Sequence, residues 1–210
     1  MSNRHRRRAA RLASAELEAR HPRFFDALTA DATVTAAYRS ERWQFRGRGD
    51  TLTQALRLMG RSDAFLAQTL YRAKARLQAL GVPLLPRVAH RLAIMTAQIC
   101  IGDSVVVHPG VYFPHGQVAI DGCVEVHRGA VINPWVTIGS GPCDSGRTTI
   151  GPNVHVGTGA IVIGPVTVAS GARIGANALV LTDVAAGHTV VGMPAKPLAK
   201  RTEPPRSTAT

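Results

Sequence analysis

The sequence of 210 residues contains few cysteines and few aromatic residues. Its three cysteines, Cys100, Cys123 and Cys143, are odd in number and their spacing is not that of paired ligands. We therefore predict neither a disulfide framework nor a zinc site. Aromatic residues make up 5% of the chain, and no recognisable nucleic-acid-binding motif interleaves them with basic residues. A nucleic-acid partner is not expected.

Acidic residues are also scarce, with 13 of them against 25 Lys and Arg. The imbalance lies in one part of the chain, because residues 1–100 hold 18 basic and 7 acidic residues whereas residues 101–210 hold 7 and 6. A solvated face is the usual explanation of such a basic region. Attraction of an anionic cofactor is a second interpretation.

The chain lacks any apolar run long enough to span a bilayer. Residues 4–8 are basic like the start of a signal peptide, but the polar segment AARLASAELEAR follows them in place of an apolar one. Hydrophobic residues nevertheless make up 45% of the sequence, which is enough for a core. We expect a cytoplasmic globular protein with no membrane partner.

The sequence does contain a six-residue repeat through residues 150–184. Its first position is always Ile or Val, at Ile150, Val156, Val162, Val168, Ile174 and Val180. A helix would bring apolar residues back every 3.6 positions and a strand every 2. A period of six therefore indicates short strands separated by corners, which is a β-solenoid.

The same phase extends backwards from Ile150. The earlier positions are Ile138, Ile132, Val126, Ile120, Phe113, Val107 and Ile101. One extra residue separates Phe113 from Ile120, and residues 139–149 lack the pattern, so we predict that they leave one coil as an exposed loop. Thirteen inward positions, each contributing roughly 1.5 to 3 kcal/mol on burial, make a sufficient core.

The first hundred residues are predicted to be helical. Apolar spacing indicates helices over residues 51–60 and 63–80, with Asp50 and Ser62 as N-caps, and over 87–99. A charged helix is predicted over 4–20, while 23–49 are ambiguous. We expect a helical region (1–99) that caps the open strand edge of a β-helix (100–200), followed by a disordered tail (201–210).

The hexapeptide pattern, the ending VVGMPAK and the order HPG, PHG, VTIG, TIG resemble the serine acetyltransferases of the left-handed β-helix acyltransferase superfamily, over residues 84–200. The resemblance implies an α+β protein with left-handed coils. It also implies acetyl-CoA as co-substrate, no metal, and assembly as a homotrimer or a dimer of trimers.

His115 aligns with the catalytic histidine of these enzymes. Acyl transfer to a hydroxyl needs a base, and imidazole has a suitable pKa for that role at neutral pH. By the same resemblance His108 is structural or supporting. His127 and His155 occupy ordinary repeat positions and are expected at the surface.

Five further positions are implied to line the groove for coenzyme A, along coils that retain the repeat. They are Gly139, Ser140, Thr158, Ala176 and Lys196. Small residues at such positions let the backbone approach a ligand. Lys196 stands where the resembling enzymes place a basic residue near the phosphates.

The residues expected to bind the acceptor differ from those of the resembling enzymes. Pro114 and Val106 stand where they have carboxylates, and Arg147 stands where they have a second histidine. Asp121 or Glu125 could replace the lost carboxylates by proximity along the chain. We expect a rebuilt acceptor pocket that includes Asn133, Trp135 and Arg147. Trp135 fits a subunit contact equally well.

These features favour an acetyl-CoA-dependent O-acyltransferase acting on a small-molecule hydroxyl, with His115 as base. The alternatives are a serine O-acetyltransferase of cysteine biosynthesis and a β-helix scaffold without catalytic activity. A γ-type carbonic anhydrase is disfavoured, because the H-x-x-x-x-H pair of its zinc site is missing.

Overall fold

The computed structural model describes residues 21–141 and 143–198, in which helices precede short strands. The helices are α1 (Phe24–Tyr38), α2 (Arg48–Met59), α3 (Asp63–Ala79) and α4 (Leu85–Ala97). The strands are β1 (Ile99–Ile101), β2 (Val105–Val107), β3 (Val118–Asp121), β4 (Val124–Val126), β5 (Val131–Ile132), β6 (Thr137–Gly139), β7 (Thr148–Ile150), β8 (His155–Val156), β9 (Ile161–Ile163), β10 (Thr167–Val168), β11 (Arg173–Ile174), β12 (Leu179–Val180), β13 (Thr189–Val191) and β14 (Lys196–Pro197). The helix predicted over 4–20 and the tail predicted over 201–210 lie outside the described residues.

Of the two predicted N-caps, Ser62 is confirmed and Asp50 is wrong. Ser62 caps α3 as expected, since its hydroxyl accepts a hydrogen bond from the Phe65 N–H at 3.3 Å. Asp50 is not an N-cap, because α2 begins two residues earlier, at Arg48. Its carboxylate instead pairs with Arg42 and accepts the Arg46 N–H at 2.9 Å.

Helix α1 lies in the segment that the sequence left ambiguous. Its buried side consists of Ala27, Leu28, Asp31, Ala32, Thr35 and Ala36. Small and polar residues make up most of that face, so the apolar periodicity that marks a buried helix face is weak here.

The strands form the three faces of a parallel β-helix. One face, sheet A, has the order β1-β3-β6-β9-β12; the second, sheet B, has β10-β7-β4-β2; and the third, sheet C, has β14-β13-β11-β8-β5. All thirteen predicted inward positions are buried. The repeat therefore predicted both the architecture and its core correctly.

The strand register shows where the repeat is interrupted. Ile120 pairs with Ile138, eighteen residues on, as expected for three units of six. Ile101 pairs with Ile120, nineteen residues on, which is the predicted one-residue slip. Ile138 pairs with Val162, twenty-four residues on, because the 139–149 loop adds one unit's length without adding a strand to sheet A.

Helix α3 covers the open edge of the first coil with polar side chains. The Tyr71 hydroxyl donates to the Val105 carbonyl at 2.8 Å and accepts from the Val107 N–H at 3.2 Å. Burial raises the pKa of Tyr71 to about 12, so the hydroxyl keeps its proton. Lys74 donates to the Ile101 carbonyl at 2.7 Å, and Gln68 donates to the Val111 carbonyl at 3.0 Å. An exposed strand edge would otherwise be free to pair with another chain, and the prediction that the helices cap it is confirmed.

A buried ion pair fixes α1 to the same edge. Arg72 of α3 lies 2.9 Å from the Asp31 carboxylate of α1, and both side chains are almost fully buried. Arg72 also donates to the His108 carbonyl, and Asp31 accepts the Gly110 N–H at 2.8 Å. These bonds join two helices to the corner of the first coil.

The prediction that the cysteines are unpaired is wrong for two of them. Cys123 and Cys143 form a disulfide with a Cα–Cα distance of 4.9 Å, and Cys100 is free. The pairing was hidden because Cys143 belongs to the predicted loop, which folds back onto sheet B beside Val106. No helix in the described part of the chain is long and apolar enough to cross a bilayer.

Candidate active site

His115 lies on the corner that leads into sheet A, and its side chain is exposed. The next residue explains the sharp corner, since a Cβ on Gly116 would stand 1.8 Å from the Ala97 carbonyl oxygen. The Gln117 N–H donates to that same carbonyl at 2.9 Å. The corner is therefore held against the end of α4, and His115 projects beside it.

His115 opens into a cavity of about 460 Å³ between the coils and the helices. Its lining includes Arg39, Arg61, Ser62, Asp63, Met95, Thr96, Pro114, His115, Gln117, Pro134 and Trp135. A concave site with one exposed imidazole and an aromatic wall is of the kind that binds small molecules.

Trp135 stands directly above Gln117, and its indole is 63% exposed. The backbone of Trp135 has φ +64°, a left-handed conformation that bulky residues rarely adopt. The equivalent corner positions on other coils carry Gln98, Gln117, Gly159 and Asn177, all with positive φ. The left-handed backbone is therefore a feature of this corner on every coil, and what distinguishes Trp135 is its bulk. The structure thus places Trp135 and His115 at the same cavity. This position agrees with the interpretation of Trp135 as a wall of the acceptor pocket.

Asn133 is not brought into this cavity. Its amide donates to the Val156 carbonyl at 2.8 Å and lies 3.4 Å from Nε2 of His155. Burial, with a further contribution from Arg173, lowers the pKa of His155. His155 is half-buried, not at the surface as expected.

Neither carboxylate suggested as a partner for His115 reaches it. Asp121 lines a separate cavity of about 730 Å³ between α3, α4 and the first coil. Glu125 points outward from sheet B, on another side of the solenoid. Among the described residues, His115 has no carboxylate partner.

Glu125 instead organises a second histidine cluster, which the sequence missed. Its carboxylate is 2% exposed, with Oε1 2.8 Å from Nε2 of His108 and Oε2 3.0 Å from the Arg147 guanidinium. The His127 ring stacks on His108, with a centroid distance of 4.6 Å, and its Nε2 lies 3.8 Å from Oε1. His127 therefore belongs to a cluster and is not an isolated surface residue.

The coil length could have revealed this cluster. His108 and His127 are nineteen residues apart, which is the length of a coil that contains the one-residue slip. Placing Val107 below Val126 stacks the two histidines on one corner. The position of a histidine within a single repeat does not show this stacking, whereas the offset between neighbouring coils does.

The cluster has a donor set that could hold a metal ion. The ligand atoms of His108, Glu125 and His127 lie within 4.8 Å of one another. The imidazole planes are nearly parallel, at 9°, so their in-plane lone pairs do not converge on one point. This geometry suits hydrogen bonding to a shared carboxylate better than metal coordination, and the absence of a metal site stays a prediction.

Arg147, expected in the acceptor pocket, lies with Glu125 on sheet B and away from the His115 cavity of the same chain. The 139–149 loop carries it there. Two bonds join the ends of this loop to the solenoid, since Thr148 N–H donates to the Cys123 carbonyl at 2.9 Å and Cys123 N–H donates to Gly141 at 3.4 Å.

Four of the five residues expected to bind coenzyme A lie at the two sides of sheet A, and the fifth, Lys196, lies on sheet C. Thr158 and Ala176 are exposed at one corner on successive coils, where the Asn177 N–H donates to the Thr158 carbonyl. Gly139 ends β6 at the opposite side of the sheet, and Ser140 follows it. Lys196 is exposed on β14, which pairs antiparallel with β13 at Val191. A ligand at these five positions would contact mainly small side chains and backbone, next to the exposed aliphatic side chains of Ile163 and Leu181.

The comparisons with known proteins agree with this architecture. Residues 147–182 match the model of the bacterial transferase hexapeptide family, described as six repeats. No curated protein matches the chain.

Solved structures of serine acetyltransferases are similar to the chain. They include the Brucella abortus enzyme in complex with coenzyme A (24% identity, TM-score 0.60, 65% of this chain and 56% of that one). The Neisseria gonorrhoeae enzyme in complex with serine matches at 22% identity, with a TM-score of 0.58, over 84% of this chain and 69% of that one. The soybean apoenzyme matches at 25% identity, with a TM-score of 0.52, over 82% and 67%. The chain spans little more than half of the Brucella enzyme. These likenesses establish the fold as helices followed by a left-handed β-helix of hexapeptide repeats, as in serine acetyltransferases.

Proposed function

We propose that this protein is an acetyl-CoA-dependent acyltransferase that transfers an acetyl group to a hydroxyl of a small molecule. The observation that carries the proposal is the exposed His115 in a cavity walled by Trp135. Similar enzymes have been crystallised with coenzyme A and with serine, which supports the substrate classes.

His115 performs the proton transfers in this proposal. A ring nitrogen accepts the proton of the acceptor hydroxyl as the oxygen attacks the thioester carbonyl. Collapse of the tetrahedral intermediate breaks the carbon–sulfur bond, and the imidazolium returns the proton to the leaving thiolate. The products are the acetyl ester and free coenzyme A.

Coenzyme A is assigned to the outer face of sheet A. Gly139, Ser140, Thr158 and Ala176 offer backbone groups and little side-chain bulk to the pantetheine arm. Lys196, exposed beside this face, would meet the phosphates with a positive charge. These contacts leave the thioester near the corner that carries His115.

The acceptor is proposed to be a small molecule other than free serine. Pro114 offers no carboxylate for an ammonium group beside the base. Asp63 is the acidic residue in the lining of the cavity, and Trp135 provides an apolar wall. Asn133 and Arg147 keep their proposed acceptor-binding roles only where a neighbouring subunit brings them to the cavity, because within one chain they lie elsewhere.

A homotrimer, alone or as a dimer of trimers, is part of the same proposal. The upper part of sheet A exposes Ile163 and Leu181, at 48% and 50%. A flat aliphatic surface of this kind favours contact with another subunit. Light scattering that gave a monomeric mass would contradict this arrangement. A cytoplasmic location is proposed with it.

The experiment is a thermal-shift screen with acetyl-CoA, longer acyl-CoAs and metal ions, followed by measurement of free thiol released with a panel of alcohols, sugars, hydroxy acids and amines. Stabilisation by an acyl-CoA together with acceptor-dependent release of coenzyme A is expected. A protein that binds no acyl-CoA and releases no thiol would be the scaffold without catalytic activity.

A further inference from the structure

The 139–149 loop is attached to the solenoid on both sides of Cys123. The Cys123 N–H donates to the Gly141 carbonyl at the start of the loop, and its carbonyl accepts from Thr148 at the end. The disulfide to Cys143 adds a covalent bond to the middle of the loop. Cys123, which directly precedes β4, therefore holds the loop at three points.

The two cysteine residues differ in exposure. Cys123 is 2% exposed and packs with Val106, whereas Cys143 is partly exposed. An attacking thiolate therefore has access to the bond from the Cys143 side. The Cys123 sulfur that is released takes up a proton and stays beside Cys143, where the bond can close again when an oxidant is present.

The loop also carries groups that the proposed reaction uses. Ser140 packs on the corner at Gly122, where an added Cβ would stand 2.1 Å from the Ser140 carbonyl oxygen. At the other end, Arg147 pairs with the buried Glu125 at 3.0 Å. Release of Cys143 would leave the loop attached by these end contacts alone, so that Ser140 and Arg147 are held less firmly.

We propose that Cys123 and Cys143 form a reversible thiol–disulfide exchange site that docks the 139–149 loop onto sheet B and so positions Ser140 beside the coenzyme A groove. The oxidant is a small disulfide of the glutathione disulfide class. Its two-electron reduction to two thiols accompanies formation of the Cys123–Cys143 bond from two thiols. A dithiol reductant reverses the reaction and is itself oxidised to a disulfide.

Thiol counting tests the exchange in the intact protein. After incubation with glutathione disulfide, denaturation and alkylation, mass spectrometry should find Cys100 modified and Cys123 and Cys143 joined. After incubation with dithiothreitol, all three cysteines should be alkylated. Alkylation of both Cys123 and Cys143 after the oxidising incubation would overturn the proposal.

Limited trypsin digestion tests docking without reference to acyl transfer. Cleavage after Arg147 requires local opening of the loop, and its rate follows the open population. We expect this cleavage to be about tenfold slower in the oxidised protein than in the reduced one. Cys143→Ser should be cleaved at the fast rate under both conditions, whereas the control Cys100→Ser should keep the redox response. Equal rates in oxidised and reduced wild type would overturn the proposal, even if the Cys143 variant failed to fold.

The coupling to coenzyme A rests on the proposed function and is measured separately. Calorimetric titration with free coenzyme A should give a dissociation constant about threefold or more higher for the reduced protein, because a released loop is less preorganised. Equal affinity in the two states would overturn the coupling. Failure to bind coenzyme A in either state would contradict the proposed function, while thiol counting and digestion would still decide the exchange site.

Discussion

The His115 site and the His108–His127 site of this solenoid differ in the exposure of the imidazole and in its partners. His115 is exposed at a cavity and has no carboxylate partner among the described residues. His108 and His127 share a buried carboxylate, Glu125, which is also paired with Arg147. In many hydrolases a carboxylate orients the catalytic imidazole, so a search for that pattern alone would select the His108–His127 cluster.

A carboxylate partner does not by itself identify a catalytic histidine, since it can also serve the attachment of a loop. The Glu125 cluster lies where the 139–149 loop meets sheet B, and its ion pair to Arg147 joins two parts of the backbone. His115 faces a cavity of about 460 Å³ with the aromatic wall of Trp135. His108 and His127 also line a cavity, of about 340 Å³, so the two sites differ in the aromatic wall and in the buried carboxylate rather than in access alone.

The largest expected effect is on the rate of acetyl transfer. Replacing His115 by Ala removes the general base, and such a loss typically lowers the rate by a factor of about 10² to 10⁴. Coenzyme A binding should persist, because other residues form its groove. Release of coenzyme A with a responsive acceptor measures the rate, calorimetry measures the binding, and the exposed His188→Ala serves as control.

The matching variant at the second site is His127→Ala. It should keep activity within a few-fold of wild type, because the ring has no role at the thioester. A reversed pattern, in which His127→Ala is inactive and His115→Ala is active, would transfer the base to the Glu125 cluster.

The next effect is on stability and belongs to the Glu125 cluster. Glu125→Ala leaves Arg147 and His108 without their shared carboxylate, and the loss of charged hydrogen bonds should cost about 1.5 to 3 kcal/mol of unfolding free energy. Chemical denaturation measures it, and Glu125→Gln should lose less because an amide oxygen still accepts. An unchanged midpoint for the Ala variant would show that the cluster does not anchor the loop.

The free-energy difference that discriminates against serine should be similar to, or smaller than, the loss of stability in Glu125→Ala. Without a carboxylate at Pro114, the ammonium of serine loses one charged hydrogen bond, which is about one to two powers of ten in specificity. Comparing kcat/KM for serine with the best acceptor of the panel tests this. Serine turnover at roughly 10⁴ M⁻¹s⁻¹ or above would identify an ordinary serine acetyltransferase.

The smallest effect concerns the strained corner beside His115. Trp135→Gly should raise the unfolding free energy by about 1 kcal/mol, since glycine adopts the left-handed backbone without strain. The same change removes the aromatic wall and should raise KM for the acceptor. Thermal unfolding and steady-state kinetics measure the two effects. A less stable variant with unchanged KM would show that Trp135 serves packing and not the cavity.

Much of the fold was readable from the sequence because one six-residue period controls it. Every inward position from Ile101 to Val180 was found by phase alone. The same logic failed for α1, whose buried face is made of residues such as Ala32, Asp31 and Thr35. It also failed for the Cys123–Cys143 pair, because the loop that carries Cys143 follows no period.

The site was predicted less completely than the fold. His115 and Trp135 line one cavity, and their roles there stay predictions. Counting coils assigned Asn133 with Trp135 to the coil above His115, and the family resemblance assigned Arg147 to the same pocket. The side chains of Asn133 and Arg147 nevertheless bond to Val156 and Glu125 on other faces. Side-chain direction, set by hydrogen-bond partners on neighbouring coils, is what the repeat does not encode.

Hydrogen–deuterium exchange with and without coenzyme A tests the central claim most directly. The proposal requires the ligand to lie across the outer face of sheet A, next to the corner that carries His115. Exchange should slow in peptides that cover Gly139 and Ser140, Thr158, and Ala176, with little change around His108 and His127. No change on ligand addition, or protection confined to the Glu125 cluster, would contradict the account.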